Sequence, residues 1–201
     1  MFGLPESTEV KRALPKAQLY KKFELKQSQR DAFDKDIARL DFTHMISAQT
    51  LPVISAGEDV KAIFVVEVEL KNSEYDANNI ILVSKLIPQK IIFALRFKDQ
   101  IQFAVFQTKL FSSTWLPVTV AELVLSGINL DMIWQNLVSS IGSFQVNDGN
   151  SLKEQIIEDD RKAKIKRQIE TLEKQMRSTT QPRRQREIYA EIKKLKALYN
   201  G

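Results

Sequence analysis

The run FVVEVELKN, residues 64–72, sets Glu67, Glu69 and Lys71 at alternate positions. In an extended chain alternate side chains share a face, so these three project together. Two carboxylates and a lysine on one face are what a restriction-type nuclease uses. The carboxylates ligate Mg²⁺, and the amine positions or activates the attacking water. Such a centre also takes an acid from the neighbouring strand. Asp59 fails on reach, because ten extended residues carry it about 33 Å from Glu69. A hairpin folded at residues 56–59 sets Met45, Ile46 and Ser47 opposite residues 67–69 and leaves only Asp41 to reach the acids, after a register slip. The competing reading is a solvated strand face, where alternating charge discourages edge-to-edge association. The incomplete set favours that reading, with no cofactor; Mg²⁺ enters only if the chain is a nuclease.

Other catalytic plans lack their parts. The single histidine, His44, cannot build a multi-histidine metal site and reads as an ordinary structural or surface residue, and there is no cysteine for a thiolate nucleophile or ligand. Six glycines include no phosphate-cradling or dinucleotide-binding pattern. The absence of cysteine points to a reducing, cytoplasmic setting. No secretory signal is expected at the start, and NIILVSKLIPQKIIFAL is interrupted by Lys85, Pro88 and Lys90, so no membrane span is expected.

The elements that would position the acids follow from periodicity. Residues 5–46 read as helical: Ser7 or Thr8 caps a short helix broken at Pro15, and Ser28 caps a longer one carrying Phe33, Ile37 and Leu40. A short strand near 50–55, a turn at 56–59 and a long strand at 60–71 follow. Residues 74–87 then read as a helix ending before Pro88. KIIFALRF and QIQFAVFQT read as strands turning at Lys98–Asp99. A helix capped by Asn129 carries the stripe Ile133, Trp134, Leu137 and Ile141. Trp115 and Trp134 are expected as core anchors. The fold class expected is α+β, a small and mostly antiparallel sheet covered by helices, over residues 1–148.

After the turn-rich linker 147–151 the composition becomes that of charged helix formers. Ile165, Ile169, Leu172 and Met176 form one coiled-coil-like seam, and Ile188, Ile192, Leu195 and Leu198 a second. Two seams around the break STTQP predict an antiparallel helical hairpin over 152–201. Short helices are marginal alone in water, so these arms must zip together, and the seam residues are also candidates for docking on a partner. Charge separates along the same boundary. Residues 1–150 carry 16 basic and 17 acidic side chains, whereas 151–201 carry 14 and 8. Attraction to a polyanion is therefore a property of the tail. Arg177, Arg183, Arg184 and Arg186 gather where the hairpin turns and suit a phosphate backbone or an acidic protein patch. With no aromatic interleaved, stacking on unpaired bases is not expected there.

The opening MFGLPESTEVKRALPKAQLY, the strand FVVEVELK, the passage LIPQKIIFAL, the helix GINLDMIWQNLV and the charged hairpin ending together resemble a bacterial family catalogued as a domain of unknown function. The resemblance covers nearly the whole chain. It implies a gene encoded beside helicases and DNA methyltransferases in restriction-like, phage-defence loci, and it brings no catalytic residues with it. The expected function is that of a non-enzymatic accessory subunit docked through its hairpin to a helicase or methyltransferase-type complex. A Glu-x-Lys nuclease and a sequence-independent binder of the DNA backbone are the alternatives.

Overall fold

The computed structural model describes residues 1–147 and 150–200, the side chain of Asn200 excepted; Asp148 and Gly149 of the expected linker, and Gly201, lie outside. The chain forms two compact units that meet in sequence between Gln145 and Val146.

The first unit is built on one mixed sheet. A 3-10 turn at Glu6–Thr8 leads into β1 (Glu9–Ala13), then α1 (Lys16–Lys22), α2 (Gln27–Asp36), β2 (Ile37–Ser47) and β3 (Ala62–Leu70). Helix α3 (Ala77–Leu86) connects β3 to β4 (Lys90–Phe97). The remaining strands are β5 (Gln100–Gln107), β6 (Lys109–Ser112) and the short β7 (Leu116–Pro117), and α4 (Leu130–Gly142) closes the unit. Strands β1 to β6 lie side by side in chain order, and β7 pairs with β5. Only the β3–β4 pair is parallel. That is the pair joined by a helix, as a parallel connection requires.

The sheet has helices on both faces. On one, Val66, Val68, Ile91, Phe93 and Leu95 pack with Leu19, Phe33, Ile80 and Val83 from α1, α2 and α3. On the other, α4 lies across β3, β5 and β6. Its Ile133, Trp134, Leu137 and Ile141 are buried as their spacing implies, whereas Trp115 is only partly buried. Asn129 caps α4 by accepting the Met132 N–H, and Asp76 caps α3 through the Asn78 N–H.

Residues 5–46 are not helical throughout. Two strands interrupt them, and β2 is the longest in the sheet. Pro15 starts α1 rather than breaking a helix, consistent with its tolerance at helix starts. Helix α2 begins at Gln27, one residue before the expected cap Ser28. The expected strand at 50–55 is also absent: residues 48–61 are a connection without a named strand, carrying one isolated bridge from Ser55 to Asn129.

The second unit holds α5 (Leu152–Ser178) and α6 (Pro182–Asn200). Ser151 and Glu154 form a capping box at the start of α5, each side chain bonding the other's backbone N–H. Ile165, Ile169, Ile188 and Ile192 are buried against one another, with Leu172, Met176 and Leu195 packed beside them. Among the described residues no helix is long and apolar enough to cross a membrane.

Candidate functional site

Strand β3 divides its side chains by parity. Val66, Val68 and Leu70 enter the helix-packed core, so Ile63, Val65, Glu67 and Glu69 take the opposite face. Ile63 and Val65 are fully buried, Glu67 is largely covered and Glu69 is exposed. The pairing with β2 is not the expected one. Met45, Ile46 and Ser47 lie opposite Phe64, Ile63 and Ala62, while Asp41 faces Glu67 and Arg39 faces Glu69. The expected register assumed a tight turn at 56–59. The longer connection 48–61, with a register irregularity between Phe42 and His44, shifts the pairing and brings Asp41 beside Glu67. Directly opposed residues on one face hold their Cβ atoms about 4.5–5.5 Å apart, close enough for two carboxylates to share one cation.

Arginines engage both of these acids. Arg39 grips Asp41 with two nitrogens, Nε to Oδ2 at 2.6 Å and Nη2 to Oδ1 at 2.9 Å. Arg96 on the neighbouring strand donates from Nη1 to Glu67 Oε1 at 3.2 Å. The Glu67 side chain is only 16% exposed, so its arginine neutralises a charge that would otherwise be costly to bury. Lys71 lies just past the end of β3 and turns away. Its Nζ donates to the Asp34 carbonyl at 2.5 Å, and its N–H to the Asp36 carbonyl at 2.8 Å. The Glu-x-Lys arrangement is therefore not assembled: Lys71 ties the end of β3 to α2, away from both acids. Among the described residues no three histidine, cysteine, aspartate or glutamate side chains gather as a metal-holding set.

Arg39, Asp41, Glu67, Glu69 and Arg96 line an open cleft of about 690 Å³ on the sheet face, which also reaches Glu9, Arg12 and His44. His44 is 1% exposed, and neither ring nitrogen has a partner among the described residues. Its ring is tilted against Phe2 with centroids 6.2 Å apart. Burial, helped by the nearby amino-terminal charge, holds its pKa below the ordinary histidine value, so the ring is neutral at physiological pH. Expected as an ordinary structural or surface residue, it is enclosed.

A second polar cluster sits at α2. Asp34 accepts from Lys16 Nζ at 2.6 Å and Tyr20 Oη at 2.7 Å. Partial burial pushes the Asp34 carboxyl up, but those two bonds, with the charges of Lys16 and Lys71, outweigh it and hold the group below the usual carboxylate range. Burial and the bond to Asp34 together push the Tyr20 phenol well up. Both shifts favour the states already present at neutral pH, so the cluster braces the helices and is not poised to exchange protons.

The sequence profile described as a domain of unknown function (DUF4391) matches residues 2–198. The chain belongs to that family. Neither a curated protein nor a solved structure matches it.

In this DUF4391 protein the hairpin residues fall into two groups. The seam residues marked as candidates for docking pack on each other, and Leu198 alone of the eight is exposed. A residue enclosed between the two arms cannot also form an outer docking surface. Near the turn, Arg183 and Arg184 both lean on Glu187, at 3.3 and 3.2 Å. Arg177 and Arg186 border a shallow groove together with Tyr189. Nothing in the sequence pattern alone marks Arg39 and Arg96 as partners of the acids. Arg39, two residues before Asp41, was legible as a same-face neighbour only once residues 37–47 are read as a strand.

Proposed function

We propose that this protein is a non-enzymatic accessory subunit that docks, in the cytoplasm, to a larger nucleic-acid-processing assembly of helicase or methyltransferase type in a defence locus. The observation that carries the reading is the neutralised acid pair: Asp41 and Glu67 are each held by an arginine, and Lys71 is committed to the Asp34 carbonyl. A catalytic carboxylate pair needs open coordination positions. The type of assembly rests on the sequence resemblance. Docking through the hairpin uses its outer surface, where Ile157 and Leu198 are each 56% exposed. They lie near one another, since Arg161, one turn after Ile157, donates to the Leu198 carbonyl at 3.4 Å.

The test is co-purification from the native host with a tagged chain. A helicase or methyltransferase polypeptide should elute with the wild type, and Ile157→Asp/Leu198→Asp should reduce its recovery at least about tenfold, the loss expected for truncating central contacts. Absence of such a polypeptide, or its full retention by the double variant, defeats the proposal.

A metal-dependent nuclease is the second reading, and the register favours it by placing Asp41 beside Glu67. With plasmid DNA and Mg²⁺ or Mn²⁺, the accessory reading expects no cleavage above that of Asp41→Asn/Glu67→Gln. Nicking by the wild type that this double variant removes would establish the nuclease instead.

A further inference from the structure

We infer that the turn of the helical hairpin binds an unpaired nucleotide of single-stranded nucleic acid, with a base stacked on Tyr189 and flanking phosphates held by Arg177 and Arg186. This rests on the nucleic-acid setting proposed above and adds a contact made by this chain itself. Helix α6 carries two stripes. Ile188, Ile192 and Leu195 turn inward to the seam, while Pro182, Gln185, Arg186 and Tyr189, spaced by three and four residues, line a separate face. With Met176 and Arg177 of α5, that second stripe borders a groove of about 600 Å³.

The groove's chemistry selects its occupant. Tyr189 is 63% exposed, an unusual position for a large aromatic ring. Met176 and Pro182 add apolar surface beside it. Residues 174–190 carry five basic side chains and one acidic. That acid, Glu187, is engaged by Arg183 and Arg184, and among the described residues no carboxylate pairs with Arg177 or Arg186. An aromatic face flanked by free guanidinium groups is the arrangement that stacks a base and tracks its backbone. A duplex keeps its bases stacked internally, so it can use the arginines but not the ring. An acidic stretch without aromatic side chains offers carboxylates to the arginines but no ring for Tyr189. The aromatic that the linear sequence did not place near the arginines is Tyr189, brought there by one turn of α6.

The test uses the purified full-length chain and fluorescence anisotropy at low salt, with labelled oligothymidylate, oligouridylate and a blunt duplex of equal length. Single strands should bind more tightly than the duplex. Tyr189→Ala should weaken single-strand binding about 5- to 150-fold, the range for losing one base–aromatic stack, and Tyr189→Phe should restore it. Arg177→Ala/Arg186→Ala should weaken single-strand and duplex binding together and flatten the salt dependence. Circular dichroism confirms that each variant keeps its helices. Duplex binding equal to single-strand binding, or no effect of Tyr189→Ala in a folded protein, overturns the inference. Because no partner subunit is present, that result leaves the docking proposal to be judged by co-purification alone.

Discussion

Replacing Ile188 with aspartate should unfold the helical hairpin. Ile188 is 2% exposed and sits among Ile165, Ile169 and Ile192. Removing a buried isoleucine's apolar bulk costs about 2–5 kcal/mol, and a carboxylate placed in the same seam adds a burial penalty that no nearby basic group in the seam relieves. Among the described residues the unit has one such seam. Helices of this length are marginal in water without tertiary contact, so losing the seam should melt α5 and α6 together and not merely loosen one turn. The measurements are helix content by circular dichroism at 222 nm and limited digestion with trypsin. The variant should lose ellipticity and be cut rapidly among the basic residues of 151–201, with the sheet unit persisting as the resistant fragment. Ile188→Val, which keeps most of the volume, should cost only about 0.5–1.5 kcal/mol and stay folded. An aspartate variant that retains wild-type ellipticity and protease resistance would mean the arms are held by something other than this seam.

The hairpin was legible in the sequence because its determinants are local: two repeating seams and the break STTQP at residues 178–182. Helices α3 and α4 were legible for the same reason, through their apolar stripes, the stop before Pro88 and the cap at Asn129. Strand β2 was not. Its pairing shifts register between Phe42 and His44, and the irregularity exchanges the two faces. Leu40 and Phe42 contribute to the core on the α1–α3 side, but beyond the bulge it is Met45 that pairs beside Phe64 while His44 and Ile46 turn to the other face. No single period-two pattern therefore runs through residues 37–47. Phe33, Ile37 and Leu40 offered a helical period in its place. Strand β1 was hidden for a different reason: EVKRA is largely exposed, so no apolar alternation marks it. Such charged, bulged strands are common where a sheet protects its edge.

The candidate site depended on both missed features. Glu67 and Glu69 were readable as same-face neighbours from β3 alone. Asp41 was recognised as an acid that could reach the glutamates only after a register slip, but its position opposite Glu67 follows from where β2 ends and how long the connection to β3 is. Arg96 reaches Glu67 from a strand that follows an intervening helix, a proximity that only the parallel β3–β4 pairing creates. Lys71 shares the parity of the glutamates, yet the strand ends at Leu70, and parity no longer decides where its side chain goes. The sequence supplied the residue types of a nuclease centre; the tertiary structure pairs them differently.

The connection ahead of β3 is anchored by a contact between residues about seventy positions apart, and Asp131→Ala should expose it by destabilising the sheet unit by about 2–4 kcal/mol, given that bonds to a charged group contribute about 1.5–3 kcal/mol each and these are partly solvated. The Asp131 carboxylate, in the first turn of α4, accepts the Glu58 N–H at 2.6 Å, the Val60 N–H at 2.8 Å and, more weakly, the Asp59 N–H at 3.3 Å. A negative group there also suits the positive end of the helix. Beside it, the Leu130 N–H donates to the Ser55 carbonyl at 3.1 Å. The connection 48–61 is thus fastened to α4 immediately before β3 begins. Gly57 lets the backbone come this close, because a Cβ there would run into the same carboxylate. Gly57→Ala should therefore reproduce much of the loss by forcing the two apart. Both variants should lower the urea midpoint with little change in the slope, and the double variant should cost less than the sum of the two, since both break one contact. A shift below about 0.5 kcal/mol for Asp131→Ala, the scale of an ordinary surface substitution, would show that the connection is held without this clamp. The clamp matters to the site as well as to stability. A one-residue slip of β2 against β3 would carry Asp41 to the opposite face. Holding the end of the connection is thus one way the fold keeps Asp41 beside Glu67 and both acids within reach of their arginines.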